Sequence, residues 1–322
     1  MPNLTRGYLL ALLSAAILST TAIFIRYLTQ TYQMPPLLLA FWRDGIVALC
    51  LLPALWLFRP GLLPAGRRNL GFLVAYGLML AIFNALWTVS VALNGAAIAT
   101  VMAYCSAAFT ALLGWWLLKE RLDWAKLLAV AASLAGCVLV SGALDPAAWL
   151  LNLIGVLAGL LSGLFYAIYS LMGRAAAQRG LNPWTTLLYT FGFAAGFLFF
   201  FNLVPGELLP MGGGQFAAAT AGSLANFFWL DGVLAGWAIL FLLAAGPTLA
   251  GFGIYNMSLG LLPSSVANLV LTLEPAFTAV IAYFLLGEML TAVQIGGSLL
   301  IMAGVAFLRL YEGWLEAQPA VA

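Results

Sequence analysis

Side chains that could bind a solute are sparse in this sequence, and they stand inside long apolar runs. Asn84, Trp87 and Thr88 share one helical face because their spacing is i, i+3, i+4. Tyr255 and Asn256 place an aromatic ring next to a hydrogen-bonding amide. A pocket for an amphipathic solute needs an apolar wall and a few convergent polar groups. The residues predicted to line such a substrate pocket are Asn84, Trp87, Thr88, Tyr104, Tyr166, Ser170, Tyr255, Asn256, Asn268 and Thr272.

Each of these residues has a structural role as its alternative. Tyr, Asn and Thr in membrane helices often hydrogen-bond a neighbouring helix and contact no ligand. Tyr166, Tyr169 and Ser170 follow one another closely, and we expect that they cannot all face the same way. At least one of them is therefore predicted to pack rather than to line the pocket.

Four charged residues fall inside apolar runs, where an ionisable group is expensive and usually functional. Glu274 could carry a proton or hold a substrate ammonium group; alternatively, it bridges helices while Pro275 bends the chain. Arg26, Arg43 and Asp44 could form an ion network near the outer surface or bind a substrate carboxylate. The simpler alternative is that the arginines extend to the lipid headgroups.

Several kinds of chemistry are excluded by what the sequence lacks. Histidine is absent, and Cys50, Cys105 and Cys137 stand singly within apolar runs. This excludes His-based triads and His-ligated metals, and we expect no disulfide, metal or cofactor. An intramembrane enzyme would need clustered aspartates or a catalytic pair at membrane depth, so it is a remote alternative. No Walker sequence is present, so ATP cannot supply energy on this chain.

The elements that must position these residues are membrane helices. Of the 322 residues, 65% are apolar and 7% are charged, against about 45–50% and about 25% in soluble domains. A soluble enzyme, a nucleic-acid binder and a disordered chain are thereby excluded. Ten runs are long enough to cross the hydrocarbon as helices. They cover residues 7–28, 37–58, 70–92, 97–118, 124–142, 150–172, 184–204, 234–257, 265–286 and 292–310.

Most connections between these runs are short, but the one at 205–233 is long. We predict that it is extracytoplasmic and that Phe216 to Trp229 form either a short interfacial helix or a flexible loop. Residues 311–322 are predicted to form a cytoplasmic tail. The short connections carry turn residues, for example Asn94-Gly95, Asp145-Pro146, Asn182-Pro183 and Pro263-Ser264.

The distribution of basic residues predicts the orientation. Ten of the 12 Lys and Arg residues fall in or beside alternate connections, while the remaining connections hold only acids. Basic connections lie in the cytoplasm by the positive-inside rule. Ten spans with both termini in the cytoplasm satisfy this rule.

The sequence also contains an internal repeat. Residues 108–122 (AFTALLGWWLLKERL) match residues 276–290 (AFTAVIAYFLLGEML) at an offset of 168. We predict two five-helix repeats, residues 7–142 and 150–310, and the odd number of spans inverts the second in the membrane. Glu120 and Glu288 occupy matched helix ends, where they could cap helices or form gate contacts. Inverted repeats are typical of secondary transporters.

The doubled motifs resemble the EamA family of the drug/metabolite transporter superfamily over about residues 7–310. The residues that carry this resemblance are Leu273-Glu274-Pro275-Ala276-Phe277, Leu285-Leu286-Gly287-Glu288-Met289-Leu290 and Ala303-Gly304-Val305, with Leu117 to Leu122 and Ala135-Gly136 in the first half. The resemblance implies a ten-helix carrier of two inverted repeats in the cytoplasmic (inner) membrane. Such carriers usually export amino acids, other small metabolites or drugs.

We therefore expect a multi-pass secondary carrier that exports small organic metabolites, such as aromatic or hydrophobic amino acids. Transport would proceed by alternating access around a central aromatic and polar cavity. A drug, nucleotide-sugar or lipid transporter of the same superfamily is the alternative. The expected partners are the small-molecule substrate and the lipid bilayer, not a nucleic acid, and the protein would act as a monomer or homodimer.

Overall fold

The structure is a computed structural model that describes residues 2–140, 153–204, 220–286 and 291–317. The predicted turn at Asp145-Pro146, the first part of the long connection (205–219) and Glu288 lie outside the described residues. The helices are α1 (Pro2–Leu18), α2 (Thr21–Thr31), α3 (Pro36–Phe58), α4 (Arg67–Tyr104), α5 (Ser106–Leu118), α6 (Trp124–Val140), α7 (Leu153–Gln178), α8 (Pro183–Leu203), α9 (Leu234–Leu243), α10 (Leu249–Leu259), α11 (Ser264–Leu271), α12 (Glu274–Leu286) and α13 (Ala292–Ala317).

Every regular element in the described ranges is helical, as a bilayer requires of a chain whose backbone must satisfy its own hydrogen bonds. Within the described ranges, eight segments are long and apolar enough to cross a membrane, and Trp124–Val140 is a shorter apolar helix. The prediction of an all-helical, multi-pass membrane protein is confirmed. The predicted span 265–286 differs from expectation, because the structure divides it into α11 and α12. Pro275 accounts for the break, since it cannot donate a backbone hydrogen bond to the preceding turn.

The two halves of the chain break and restart at matched positions. α5 and α12 each have 13 residues, and their first residues, Ser106 and Glu274, are separated by the repeat offset of 168. The following helices, α6 and α13, begin with the same separation. The sequence repeat is thus reproduced in the backbone. Nothing local explains the break at Cys105, because the residue matched to Pro275 is Ala107.

The packing of α6 on α13 has two-fold character. A Cβ atom on Gly136 would lie 2.7 Å from the carbonyl oxygen of Gly297, and one on Gly304 would lie 3.1 Å from that of Ala129. The repeat offset exchanges these two contacts, since 129 matches 297 and 136 matches 304. The helices therefore run antiparallel around a pseudo-two-fold axis, as inverted repeats require. Glycine lets the backbones approach this closely.

α4 does not end at the predicted turn, because the backbone stays helical through Asn94 and Gly95. It nevertheless bends back on itself. A Cβ atom on Gly159 would lie 2.7 Å from both Ser90 Oγ and Met102 Cβ, whereas a straight helix would separate residues 90 and 102 by about 18 Å. The direction of the chain reverses as predicted, but by a bend within helical backbone. The second half breaks its helix here because Pro263 stands at the position matched to Gly95.

The first and last helices meet at one end of the bundle. Arg309 Nη2 donates a hydrogen bond to Thr5 Oγ1 at 2.8 Å, and the Tyr8 hydroxyl donates to Glu312 Oε2 at 2.8 Å. Gly7 packs against Leu262 in the connection between α10 and α11. The described parts of both termini therefore lie on the side to which this connection belongs.

Two further elements shape the bundle. Pro247 does not end its helix. Residues Ala244–Thr248 form a π-helical turn between α9 and α10, and this turn accommodates the proline, which has no backbone N–H group to donate. At the opposite end from the termini, Leu224–Phe228 form a 3₁₀ helix. Trp42 Nε1 holds it by donating to the Phe227 carbonyl at 2.7 Å, and Phe228 remains 66% exposed.

Candidate substrate site

A cluster of aromatic rings joins α4, α7 and α10 within the main hydrophobic core. Tyr76 of α4 and Tyr169 of α7 have ring centroids 4.7 Å apart. Tyr166 of α7 stacks on Phe83 of α4 at 4.7 Å, and its ring centroid lies 6.5 Å from that of Tyr255 of α10. All four tyrosines are buried. We call these five residues the tyrosine cluster; they form the apolar wall that a solute pocket needs.

Three buried polar side chains in and beside the tyrosine cluster have unmet hydrogen-bonding capacity. The Tyr76 hydroxyl, the Tyr169 hydroxyl and both amide atoms of Asn256 lie near one another, but none makes a hydrogen bond of normal geometry to a described residue. Asn256 is only 4% exposed. An unsatisfied buried polar group costs about 1–3 kcal/mol. These atoms therefore keep donor and acceptor capacity toward one another and toward a further polar group.

Gly173 of α7 is packed closely by these groups and by Leu259, whose Cδ1 would lie 2.5 Å from a Cβ atom there. A Cβ atom at this position would lie 2.7 Å from the Tyr76 hydroxyl oxygen and 3.6 Å from Asn256 Oδ1. Both oxygens thus approach the same stretch of bare backbone. Since α4 belongs to the first half of the chain, and α7 and α10 to the second, the unsatisfied groups lie between the halves.

Three predicted residues, Ser170, Tyr255 and Asn268, are joined with Ser106 by a chain of hydrogen bonds. Ser106 Oγ donates to Asn268 Oδ1 at 3.0 Å, and Asn268 Nδ2 donates to Ser170 Oγ at 3.0 Å. The Tyr255 hydroxyl also donates to Ser170 Oγ, at 2.8 Å. This chain bridges α5, α11, α7 and α10. Ser170, Tyr255 and Asn268 are therefore brought together as predicted, but in this conformation they bond one another.

A third group of predicted residues gathers between α3 and α4. Asp44 is fully buried; its Oδ1 accepts from Arg43 Nε at 3.0 Å and its Oδ2 accepts from Asn84 Nδ2 at 2.9 Å. A cavity of about 20 Å³ is lined by Arg43, Asn84, Trp87 and Thr88, among others. Arg43 thus pairs with Asp44 inside the protein and does not extend to the lipid headgroups. The side chain of Arg26 lies outside what the structure describes.

The repeat-matched residues Tyr104 and Thr272 have different surroundings. Thr272 Oγ1 donates to the Leu269 carbonyl of its own chain segment at 2.6 Å, so it makes a local contact. The Tyr104 hydroxyl lies next to the Glu274 carboxyl group, so the two matched helix breaks are in contact. Glu274 is partly buried. Both alternatives for Glu274, a bridge between helices and proton transfer, stay predictions.

Sequence reasoning misjudged one face of α7 and missed part of the site. Tyr166, Tyr169 and Ser170 do not face different ways, because their i, i+3, i+4 spacing places all three on one face, and all are buried in contact with α10. The predicted pocket residues consequently include Tyr166 and Ser170 but not Tyr169. Tyr76 is also missing from them. The signal for Tyr76 is its spacing of seven residues from Phe83, which continues the aromatic face that carries Trp87.

An inter-repeat contact forms at the end of the bundle where α5 stops. Glu120 Oε1 accepts hydrogen bonds from Ser264 N and Oγ at 2.7 and 2.6 Å, and Glu120 Oε2 accepts from Ser265 N and Oγ at 3.2 and 2.5 Å. Lys126 Nζ joins by donating to Ser265 Oγ at 3.1 Å. The carboxylate of the first half thus caps the N-terminus of α11 in the second half. The capping role considered for Glu120 is observed, on a helix of the other half, and the gate role stays a prediction.

Among the described residues, no group of three or more His, Cys, Asp or Glu side chains converges on a site for a metal ion. The described side chains of the groups above supply hydrogen bonds, aromatic contacts and the buried Arg43–Asp44 ion pair. This combination suits reversible solute binding.

Comparisons with known proteins agree with this architecture. The model of the EamA-like transporter family matches twice, over residues 5–142 and 153–310. An uncharacterized transporter of Archaeoglobus fulgidus is 26% identical over 298 residues, covering 91% of this chain and 92% of its own. An uncharacterized transporter of Synechocystis sp. is 26% identical over 253 residues, covering 77% and 69%. A chain of known crystal structure shares the fold with a TM-score of 0.74 at 17% identity, covering 97% of this chain and 99% of its own.

The chain belongs to the EamA-like transporter family, within the drug/metabolite transporter superfamily. The family and the two transporter relatives point to a membrane transporter rather than an enzyme. A small-molecule substrate and a membrane setting follow from this membership.

Proposed function

We propose that this protein is a secondary carrier that exports small organic metabolites, above all aromatic or hydrophobic amino acids. The observation that carries the proposal is the set of unsatisfied atoms of Tyr76, Tyr169 and Asn256 inside the tyrosine cluster. An amino or carboxyl group could satisfy them while an apolar side chain lies against the rings. Export is proposed from family membership.

Alternating access of the two halves is the proposed mechanism. The matched breaks before α5 and α12, and the glycine-mediated contact of α6 with α13, provide two similar halves around one axis. In this proposal ten spans cross the cytoplasmic (inner) membrane with both termini inside, and α11 and α12 together form the ninth span. The carrier would act as a monomer or homodimer.

Asn256→Leu is expected to lower the initial rate of amino-acid uptake into proteoliposomes at least about tenfold, the equivalent of one lost hydrogen bond of about 1.4 kcal/mol. The same variant should be as stable as the wild type or more so, because it removes unsatisfied buried polar atoms. Tyr169→Phe should act in the same direction. Radiolabelled uptake and thermal unfolding in detergent provide the two measurements.

Tyr283→Phe is the matched control for Tyr169→Phe. It removes the same hydroxyl group, but from an exposed side chain. It should leave uptake unchanged. Full uptake by Asn256→Leu combined with Tyr169→Phe would remove the proposed site.

Glu274 is the proposed proton-coupling group. Glu274→Gln keeps a side chain that can hydrogen-bond Tyr104 but cannot release a proton. We expect the variant to exchange substrate at equal pH while its uptake no longer responds to an imposed pH gradient. Uptake into vesicles with and without the gradient measures this, and an unchanged response would leave Glu274 with its bridging role alone.

A further inference from the structure

The cavity between α3 and α4 is separate from the unsatisfied groups of the tyrosine cluster. Its wall combines the apolar side chains of Ile25 and Leu39 with the polar residues Arg43, Asn84 and Thr88. Its volume of about 20 Å³ is enough for one water molecule or one oxygen atom of a ligand. The cavity therefore presents a small polar recess beside the proposed transport path.

Arg43 is the charged group of this recess. Its side chain is 8% exposed, so more than nine-tenths of it is buried. Among the described residues, the hydrogen bond that the guanidinium makes is from Nε to Asp44, which leaves the two terminal amino groups of Arg43 without a protein acceptor there. The unused terminal N–H groups are charged donors that can form a strong hydrogen bond with an anionic oxygen.

Asp44 holds the guanidinium group in place through Nε and leaves the terminal N–H groups of Arg43 available. One carboxylate oxygen holds Arg43 Nε, and the other accepts from Asn84 on α4. Both oxygens of Asp44 are therefore engaged, and the orientation of Arg43 is fixed by two helices. A fixed, partly unpaired guanidinium in a polar recess is prepared for an anionic oxygen.

The neighbouring side chains define the chemistry of the ligand further. Trp87 supplies an aromatic surface and Thr88 a hydroxyl group beside Arg43. Phe83, one turn before Trp87 on α4, stacks on Tyr166 and so connects the recess to the tyrosine cluster.

We infer that this recess is a carboxylate-binding subsite of the transport path, with Arg43 as the binding group. The inference rests on the proposed transport function, and it narrows the substrate class to solutes that carry a carboxylate next to an apolar or aromatic body. Trp87 and Phe83 would contact that body.

Binding of phenylacetate and of phenylacetamide to the purified full-length protein tests this subsite without requiring transport. Thermal stabilisation and tryptophan fluorescence would report binding. The wild type should bind phenylacetate at least about tenfold more tightly than the uncharged amide, a difference of about 1.4 kcal/mol. Arg43→Lys should lose most of this preference, because a single ammonium group cannot reproduce both the Nε contact with Asp44 and a second N–H group directed at the ligand oxygen.

The variant Arg43→Met/Asp44→Leu removes both charges and avoids leaving one of them buried alone. It should fold and bind both compounds equally weakly. Arg59→Lys, at an exposed arginine, is the control and should retain the wild-type preference. Equal binding of acid and amide by the wild type, or an unchanged preference in both Arg43 variants, would overturn the subsite.

Uptake of amino acids by proteoliposomes separates this inference from the proposed function. Transport without discrimination between an amino acid and its amide would reject the subsite and retain the carrier. Selective binding of phenylacetate at Arg43 without any amino-acid transport would retain the subsite and reject the proposed substrates.

Discussion

Asp44→Ala should lower the free energy of unfolding by about 3–5 kcal/mol, because it leaves the buried guanidinium of Arg43 without its counter-charge. Asp44 is fully buried and accepts hydrogen bonds from both Arg43 and Asn84. Its loss would therefore also free the Asn84 amide. Thermal unfolding of the detergent-solubilised protein would show the change as a large drop in melting temperature.

The double variant Arg43→Met/Asp44→Leu tests whether this cost comes from the uncompensated charge. We expect it to be clearly more stable than Asp44→Ala, because replacing a buried ion pair by apolar side chains is often neutral. The two substitutions should thus be strongly non-additive. A double variant no more stable than Asp44→Ala would show that packing, rather than charge, explains the loss.

Glu120→Ala should disconnect the two halves at the end of the bundle and destabilise the protein by about 2 kcal/mol. The carboxylate accepts four hydrogen bonds at the start of α11, from the backbone and hydroxyl groups of Ser264 and Ser265. These bonds must break if the halves separate at this end. Their removal should therefore shift the population towards a state open on this side.

Labelling of an introduced cysteine would measure the shift. Thr110 is buried on α5, between the Glu120 contact and the helix break. In a background without native cysteines, Thr110→Cys should react several-fold faster with a water-soluble maleimide when Glu120→Ala is present.

Asp123→Ala is the matched control. Asp123 Oδ1 accepts from Lys126 N at 3.0 Å and so caps its own helix, α6. Its loss should cost about 1 kcal/mol without changing the labelling of Thr110→Cys. Equal labelling with and without Glu120 would show that the contact is a cap and does not act as a gate.

Features that follow from local pattern and repetition were predictable from the sequence. The apolar runs predicted a multi-pass helical protein, and the offset of 168 corresponds to the matched starts of α5 with α12 and of α6 with α13. Helical spacing placed Asn84, Trp87 and Thr88 together, and the structure positions them beside Arg43.

Features that depend on contacts between distant segments were not predictable. Glu120 contacts serines 144 and 145 residues away, so no local spacing could reveal whether it caps or gates. The sequence predicted a turn at Asn94-Gly95, whereas the structure has a bend within helical backbone. The residue types alone do not show that helical hydrogen bonding continues through this point. The unsatisfied state of Asn256 likewise depends on where α4, α7 and α10 meet.

Solute counterflow with the purified wild-type protein tests the central claim most directly. Liposomes would be loaded with an unlabelled aromatic amino acid and diluted into a trace of the labelled compound at equal pH on both sides. A carrier that alternates between two halves is expected to accumulate label transiently above equilibrium, and Asn256→Leu should abolish the overshoot. The absence of an overshoot in the wild type with every amino acid tested would contradict the account.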